Sequence, residues 1–312
     1  MSVNEKVTIC EVGPRDGLQI AKTIMPTAAK LRWIEAIAAA GVATIEVGSF
    51  VPPKLVPTMA DTALVVRRAV AIPGLTVVAL APNLRGARDA YAAGAHRIGV
   101  PVSVSLGHSR ANLNRTPAEQ IAEVGRIVFW IKAQPRRVAV EAACSTAFGC
   151  SIDGAVPLRN VLTVATALAE AGVDSLALAD TVGYAHPAQI RETVRAVRAA
   201  VGEKLEGLHL HDTMGLGLAN ALAGLEEGIR SFDAAQAGLG GCPFAPGASG
   251  NIVTEDLVFM LESMGFATGI DLGKLIAARR LLHEGLPEEP LHGQVPKAGI
   301  PKTFHAAVRA AA

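Results

Sequence analysis

At 312 residues, half of them hydrophobic and 18% charged, the chain is long enough for one large α/β barrel or two small domains. A formal net charge of +1, with no run of Lys and Arg interleaved with aromatics, argues against nucleic-acid binding. No uninterrupted apolar stretch reaches the roughly 18 residues of a membrane helix, residues 1–6 lack the charged and apolar regions of a signal peptide, and the four widely spaced cysteines Cys10, Cys144, Cys150 and Cys242 resemble neither a secreted disulfide framework nor a zinc knuckle, so reduced thiols in a cytoplasmic protein are expected.

Short β-branched runs recur along the chain, at 7–13, 44–50, 76–82, 97–102, 138–145, 175–181, 206–212 and 231–238. Between them lie Ala- and Leu-rich segments of helical period, among them 27–40, 118–133, 160–171 and 187–201. Three helices run into Gly41, Gly94 and Gly172, each directly ahead of a strand, as a left-handed turn back into a sheet requires. Eight such units predict an α/β fold, a (β/α)8 TIM barrel over 5–286. The Pro-, Gly- and Lys-containing segment 287–312 is expected to be a loosely packed C-terminal tail.

Barrels of this kind carry their chemistry at the C-terminal ends of the strands, and polar residues gather there. His209 and His211 are two positions apart on the seventh strand, so both imidazoles face the barrel mouth and form a metal seat. With carboxylate and amide oxygens completing it, such a site suits Mg2+ or Mn2+, although raw affinity favours zinc. On the Pro/Gly turn after the first strand, Asp16 offers a hard anionic oxygen and Arg15 a fixed fork of donors for an oxyanion. The glycine-rich stretch 238–251 reads as a mobile active-site loop, with Cys242 able to move protons and Asn251 able to lend an amide oxygen to the metal. It lacks the Gly-Lys-Ser/Thr ending of a phosphate-binding loop.

The motifs Gly-Pro-Arg-Asp-Gly-Leu-Gln at 13–19, Ser-Phe-Val at 49–51, His-x-His-Asp-Thr at 209–213, Gly-Leu-Gly-Gly-Cys-Pro at 238–243 and Gly-Ala-Ser-Gly-Asn at 247–251 resemble the 3-hydroxy-3-methylglutaryl-CoA lyase family of DRE-TIM metallolyases, in the same order over about residues 5–285. The resemblance implies metal ligands at Asp16, His209, His211 and Asn251, with His209 also taking part in catalysis. It implies Arg15 against an enolate oxygen, Cys242 in proton transfer, and Glu46, Asp180 and Glu255 as supporting acids. A divalent Mg2+ or Mn2+, an acyl-CoA thioester substrate and a homo-oligomer, dimer or tetramer, follow from the same likeness. The rival readings are a Claisen-condensing synthase of the isopropylmalate or homocitrate type and a silent barrel kept as a binding partner.

The chain departs from that pattern in three places. Leu106 follows Ser105 where the family has Glu, Glu141-Ala142-Ala143 stands for Arg-Gly-Tyr, and Met214-Gly215-Leu216 stands for Tyr-Gly-Gln. Glu141 is expected near the end of the fifth strand, where its carboxylate would repel an anionic substrate unless another cation answers it. The other changes are expected to make the pocket wall more apolar, so the acyl specificity is expected to differ.

Overall fold

Successive side chains of a strand face opposite ways, and in this chain the two faces differ in kind. The large apolar residues, such as Ile9, Ile45, Val77, Ile98, Val140, Leu178, Leu208 and Phe232, all share the face turned to the helices and are almost fully buried. Their alternates are mostly small or polar, with Val78 and Leu80 on the third strand among the exceptions. The outcome, in a computed structural model that describes residues 4–241 and 250–306, is a closed barrel of parallel strands: β1 (Thr8–Glu11), β2 (Thr44–Ser49), β3 (Thr76–Leu80), β4 (Arg97–Ser103), β5 (Ala139–Ser145), β6 (Ser175–Asp180), β7 (Leu205–Leu210) and β8 (Ser231–Ala234). β1 pairs with β8 in the register Thr8↔Ser231 and Cys10↔Asp233, which closes the ring.

Helices follow the strands in the order the sequence predicts, including Thr27–Ala39, Pro117–Lys132, Leu158–Glu170 and Pro187–Val201. The helix from Pro117 begins in a capping box, with Thr116 and Glu119 each accepting the other's backbone N–H. Gly41, Gly94 and Gly172 have φ of 100°, 103° and 86°, the left-handed turns expected of them. Among the described residues no helix is long and apolar enough to cross a membrane.

Two segments differ from expectation. The eighth strand ends at Ala234 rather than continuing to 238, because Gln236–Gly238 form a 3-10 turn in which Ala237 sits at φ 61°. The described part of the C-terminal segment is also docked rather than loose. Both carboxylate oxygens of Asp256 accept from the backbone of Gln294, one of them also from Val295, and the ring of Phe304 stacks on Phe259 with centroids 5.3 Å apart.

The loops after β1 and β8 are tied together beneath the barrel mouth by a buried carboxylate. Glu11, the last residue of β1, faces away from the interior; it accepts from the backbone N–H groups of Gly13 (2.9 Å) and Gln236 (2.8 Å) and from the Thr254 hydroxyl (2.7 Å). Beside it, Glu255 accepts from Ala237 N–H and pairs with Arg279 at 2.7 Å, so two acids hold the turn that leads into the glycine-rich loop. Burial pushes the Glu11 carboxyl up to about 8 against its hydrogen bonds.

The folded state therefore binds a proton at Glu11 that the unfolded chain has lost, between the ordinary carboxylate range and about pH 8. Its contribution to stability is present at low pH and is lost as pH rises through about 8. Glu11→Gln mimics the protonated form, with the amide N–H facing the Thr254 hydroxyl. Denaturant titrations over this range are expected to show the variant gaining on wild type as pH rises; parallel curves would remove the raised pKa.

Candidate metal centre and active site

The turn that carries Arg15 and Asp16 is a single π-helical turn, Gly13–Gly17, in which the N–H groups of Arg15 and Asp16 both donate to the Val12 carbonyl. It is wound tightly against the barrel. A Cβ on Gly13 would lie 2.5 Å from Glu11 Oε1 and 3.0 Å from the Trp33 ring, so only glycine fits. The turn directs both side chains over the mouth, where Arg15 Nη1 pairs with Asp16 and Arg15 Nε donates to Glu46 Oε2 at 2.5 Å.

β7 delivers the imidazoles. His209 Nε2 and His211 Nε2 are 3.0 Å apart, and His211 Nε2 is 3.7 Å from Asp16 Oδ2. Among the described residues, Asp16, His209 and His211 form a cluster able to hold a metal ion, their ligand atoms all within 4.8 Å of one another. Asn251 lies beside it, at the far end of the glycine-rich loop. Its amide nitrogen donates to Asp16 Oδ2 (2.7 Å) and to the Leu239 carbonyl (2.9 Å), leaving Oδ1 buried with no hydrogen-bond partner among the described residues. The loop backbone approaches closely here: a Cβ on Gly240 would lie 2.4 Å from Asn251 Nδ2 and 3.0 Å from Asp16 Oδ2.

The donor set fits a divalent cation. An orphaned amide oxygen, two converging imidazole nitrogens and an ionised carboxylate are costly to bury unless something positive lies among them. Burial opposes the ionisation of Asp16, but Arg15 and the two histidines hold its carboxyl well below the usual carboxylate range. His211 is lowered by burial, which keeps its ring neutral and able to ligate. Burial also lowers His209, but the hydrogen bond and charge of Asp233 outweigh it and raise the imidazole overall.

A family profile described as HMGL-like matches residues 6–282. The chain belongs to the HMGL-like family. It is 40% identical over 284 residues to hydroxymethylglutaryl-CoA lyase YngG of Bacillus subtilis, covering 91% of this chain and 94% of that protein. It is 41% identical over 305 residues to (R)-citramalyl-CoA lyase of Chloroflexus aurantiacus, covering 95% of each. Its fold superposes with a TM-score of 0.91 and 39% identity on an HMG-CoA lyase from Acinetobacter baumannii solved with coenzyme A and 3-methylmalate, over 98% of this chain and 99% of that one.

The structure distributes the remaining predicted residues over different places. Glu46 lines the same cavity as Arg15, Asp16 and both histidines, and burial raises its carboxyl. Asp180 ends β6 with its oxygens engaged by Tyr184 N–H (3.0 Å) and Ala185 N–H (3.1 Å), shaping the next loop, and burial pushes it up to about 6. Glu255 lies behind the mouth, holding Ala237 and Arg279. Cys242 lies outside the described residues.

The reading of the departures needs correction. Glu141 does not stand at the end of β5 but is the third of its seven residues, and Arg97 Nη1 answers it at 2.9 Å. Leu106, Met214 and Leu216 are 44%, 59% and 37% exposed and stand outside the cavity, whereas Ala143 lines it.

Sequence reasoning missed Asp233. Its Oδ2 lies 3.0 Å from His209 Nδ1, which fixes the ring and turns Nε2 toward Asp16 and His211. The available signal was its position on β8, which alternates inward with Ser231 and pairs in register with His209. Asp233→Asn is expected to weaken Mn2+ binding about 10- to 100-fold, the usual loss when a ligand's orienting partner is removed. His209→Ala and His211→Ala should weaken it further, while His186→Ala, at the exposed start of the helix Pro187–Val201, should not. Calorimetric titration reads all four; wild-type affinity in the β7 variants would remove the metal site.

Proposed function

We propose that this carbon–carbon lyase splits a 3-hydroxy-3-methylglutaryl-CoA-like thioester by retro-Claisen cleavage into acetyl-CoA and a keto acid. The observation that carries the reading is the convergence of Asp16, His209 and His211 beside Arg15 at one barrel mouth, with the Asn251 amide packed against Asp16. A divalent cation held by Asp16, His209, His211 and Asn251 would supply Lewis acidity and a template for the substrate's hydroxyl and carboxylate oxygens. The mixed nitrogen and oxygen set suits Mg2+ or Mn2+.

The chain's own groups then divide the work. The bond between the carbinol carbon and the thioester α-carbon breaks, and its electron pair passes to the thioester enolate. Arg15, held in place by Asp16 and Glu46, presents its guanidinium to that developing oxyanion. Glu46 keeps Oε2 on Arg15 and turns Oε1 toward Gly99 across the interior, a carboxylate whose raised affinity for protons suits it to receive the hydroxyl proton. Cys242, at the start of the glycine-rich loop, is the proposed donor to the enolate carbon, acting with His209. The proton lost by the hydroxyl is thus balanced by the one gained at carbon.

A citramalyl thioester is the second substrate reading, favoured by the 41% identity to (R)-citramalyl-CoA lyase over 95% of both chains. The same cleavage would again release acetyl-CoA and a keto acid. A homo-oligomer in the cytoplasm completes the proposal, with sedimentation as its measurement.

Arg15→Gln is expected to lower turnover of the methylglutaryl thioester about 100- to 1,000-fold, the loss of one oxyanion donor worth roughly 3–4 kcal/mol. Thermal unfolding should show the variant folded. Coupled detection of released acetyl-CoA, with and without a chelator, is the assay. Near-normal turnover in the variant would make Arg15 structural, and turnover that survives chelation would end the metal-dependent mechanism.

A further inference from the structure

The centre of a (β/α)8 barrel is ordinarily filled by layers of bulky branched side chains. Here it is hollow. A cavity of about 990 Å3 opens among Arg15, Asp16, His209 and His211 and continues down the barrel axis to Arg97, Glu206 and Ser231 at the opposite end. On β1, β4, β5 and β8 the inward residues keep some solvent exposure while their outward neighbours have almost none.

The sequence explains the hollow. One register step beneath the level at which His209 pairs with Ala179 runs an unbroken row of small inward residues: Gly207, Ala177, Ala143 and Pro101, each paired with the next. Where the resembling family has a tyrosine, Ala143 removes a whole ring from that row. One step lower, Glu141 pairs with Arg97, and the two charges answer each other at the floor. Strands rise about 3.3 Å per residue, so the four residue steps from Ala179 to Ser175 run roughly 13 Å along the strand, and with a tilt of about 36° the shaft is roughly 11 Å deep.

We propose that this shaft receives an aliphatic branch on the substrate's carbinol carbon, and that the enzyme acts on 3-hydroxy-3-alkylacyl-CoA thioesters whose branch is longer than methyl. The proposal rests on the lyase reading of the same site and follows by elimination. A tertiary carbinol carbon has four substituents. The hydroxyl and the carboxylate-bearing arm belong with the Asp16, His209, His211 and Asn251 set, and the thioester carbonyl with Arg15. The thioester arm must leave by the mouth, because coenzyme A is too large for the barrel. The fourth substituent is left facing down the axis, where Leu80, Pro101, Ala143 and Ala177 on β3 to β6 offer an apolar wall opposite Glu46 and Asp233, and the paired floor demands no ionic partner.

The test compares methyl, ethyl and isobutyl branches in two series, using Mn2+-loaded protein. In 3-hydroxy-3-alkylglutaryl-CoA thioesters, kcat/KM is expected to hold or rise from methyl to isobutyl. In the 3-deoxy thioesters, which lack the hydroxyl and cannot be cleaved, calorimetric affinity is expected to tighten roughly fourfold per added methylene, the equivalent of about 0.8 kcal/mol. Ala143→Phe refills the row and should lower the isobutyl-to-methyl ratio of kcat/KM at least about tenfold. Should that variant fail to fold, the wild-type series decides. Affinity and turnover that both fall at ethyl overturn the shaft. Tightening deoxy affinities without cleavage of any hydroxy thioester leave the shaft standing and remove the lyase reading.

Discussion

The structure depends on where its apolar side chains are put. Nearly every large aliphatic residue of the eight strands faces the helices, and the buried core is a shell between sheet and helix layer, lined by residues such as Ile45, Val100, Val140, Leu176 and Phe232. At about 25 cal/mol per Å2 of apolar surface removed from water, that shell stabilises the fold without help from the barrel centre. The interior is thereby released from the usual packing requirement. It holds Arg15, Glu46, Arg97, Glu141, His209 and Asp233, groups that an ordinary core could not tolerate.

Charges kept inside a protein must be answered, and each of these is. Arg15 lies between Asp16 and Glu46, Arg97 meets Glu141, and Asp233 meets His209. Removing one partner from such a pair typically costs more than the pair itself contributes, because the remaining charge is stranded. The pairs therefore fix geometry more than they add stability. Asp233 sets the ring of His209, Glu46 sets the guanidinium of Arg15, and both act through a single hydrogen bond inside the barrel. The acids on the outer side, Glu11 and Glu255, do the corresponding work for the backbone, anchoring the turn at Gln236 and Ala237 from which the glycine-rich loop departs.

Much of this was legible in the sequence because it is local. Strand and helix periods are read within a dozen residues, and all eight strands match the predicted runs to within one residue at the start and four at the end, counting the shortened β8. The inward aim of His209 and His211 follows from their spacing, and Asp16 from its place on the turn after β1. What escaped is what depends on partners distant in sequence. Nothing near Asp233 announces His209, 24 residues away, and nothing near Glu141 announces Arg97, 44 residues earlier. Glu11 was hidden for a further reason: its partners are mostly backbone N–H groups, which every residue possesses. Leu106, Met214 and Leu216 show the converse error, since they follow strand ends in sequence yet point away from the cavity.

The exchange of an arginine for Glu141 on β5 makes sense only together with Arg97. A lone carboxylate at that depth would be driven to protonate by burial and by Asp233, and its pKa is indeed pushed up to about 7. Arg97 works against this through its charge and its 2.9 Å hydrogen bond, while a second acid, Glu206, lies 3.8 Å from the same guanidinium near the barrel's far end. The pair thus occupies the floor without reaching the mouth. In this hollow barrel the cluster at the mouth and the pair at the floor sit at different levels, and Asp233 and Glu46 are the acids whose charge is felt at both.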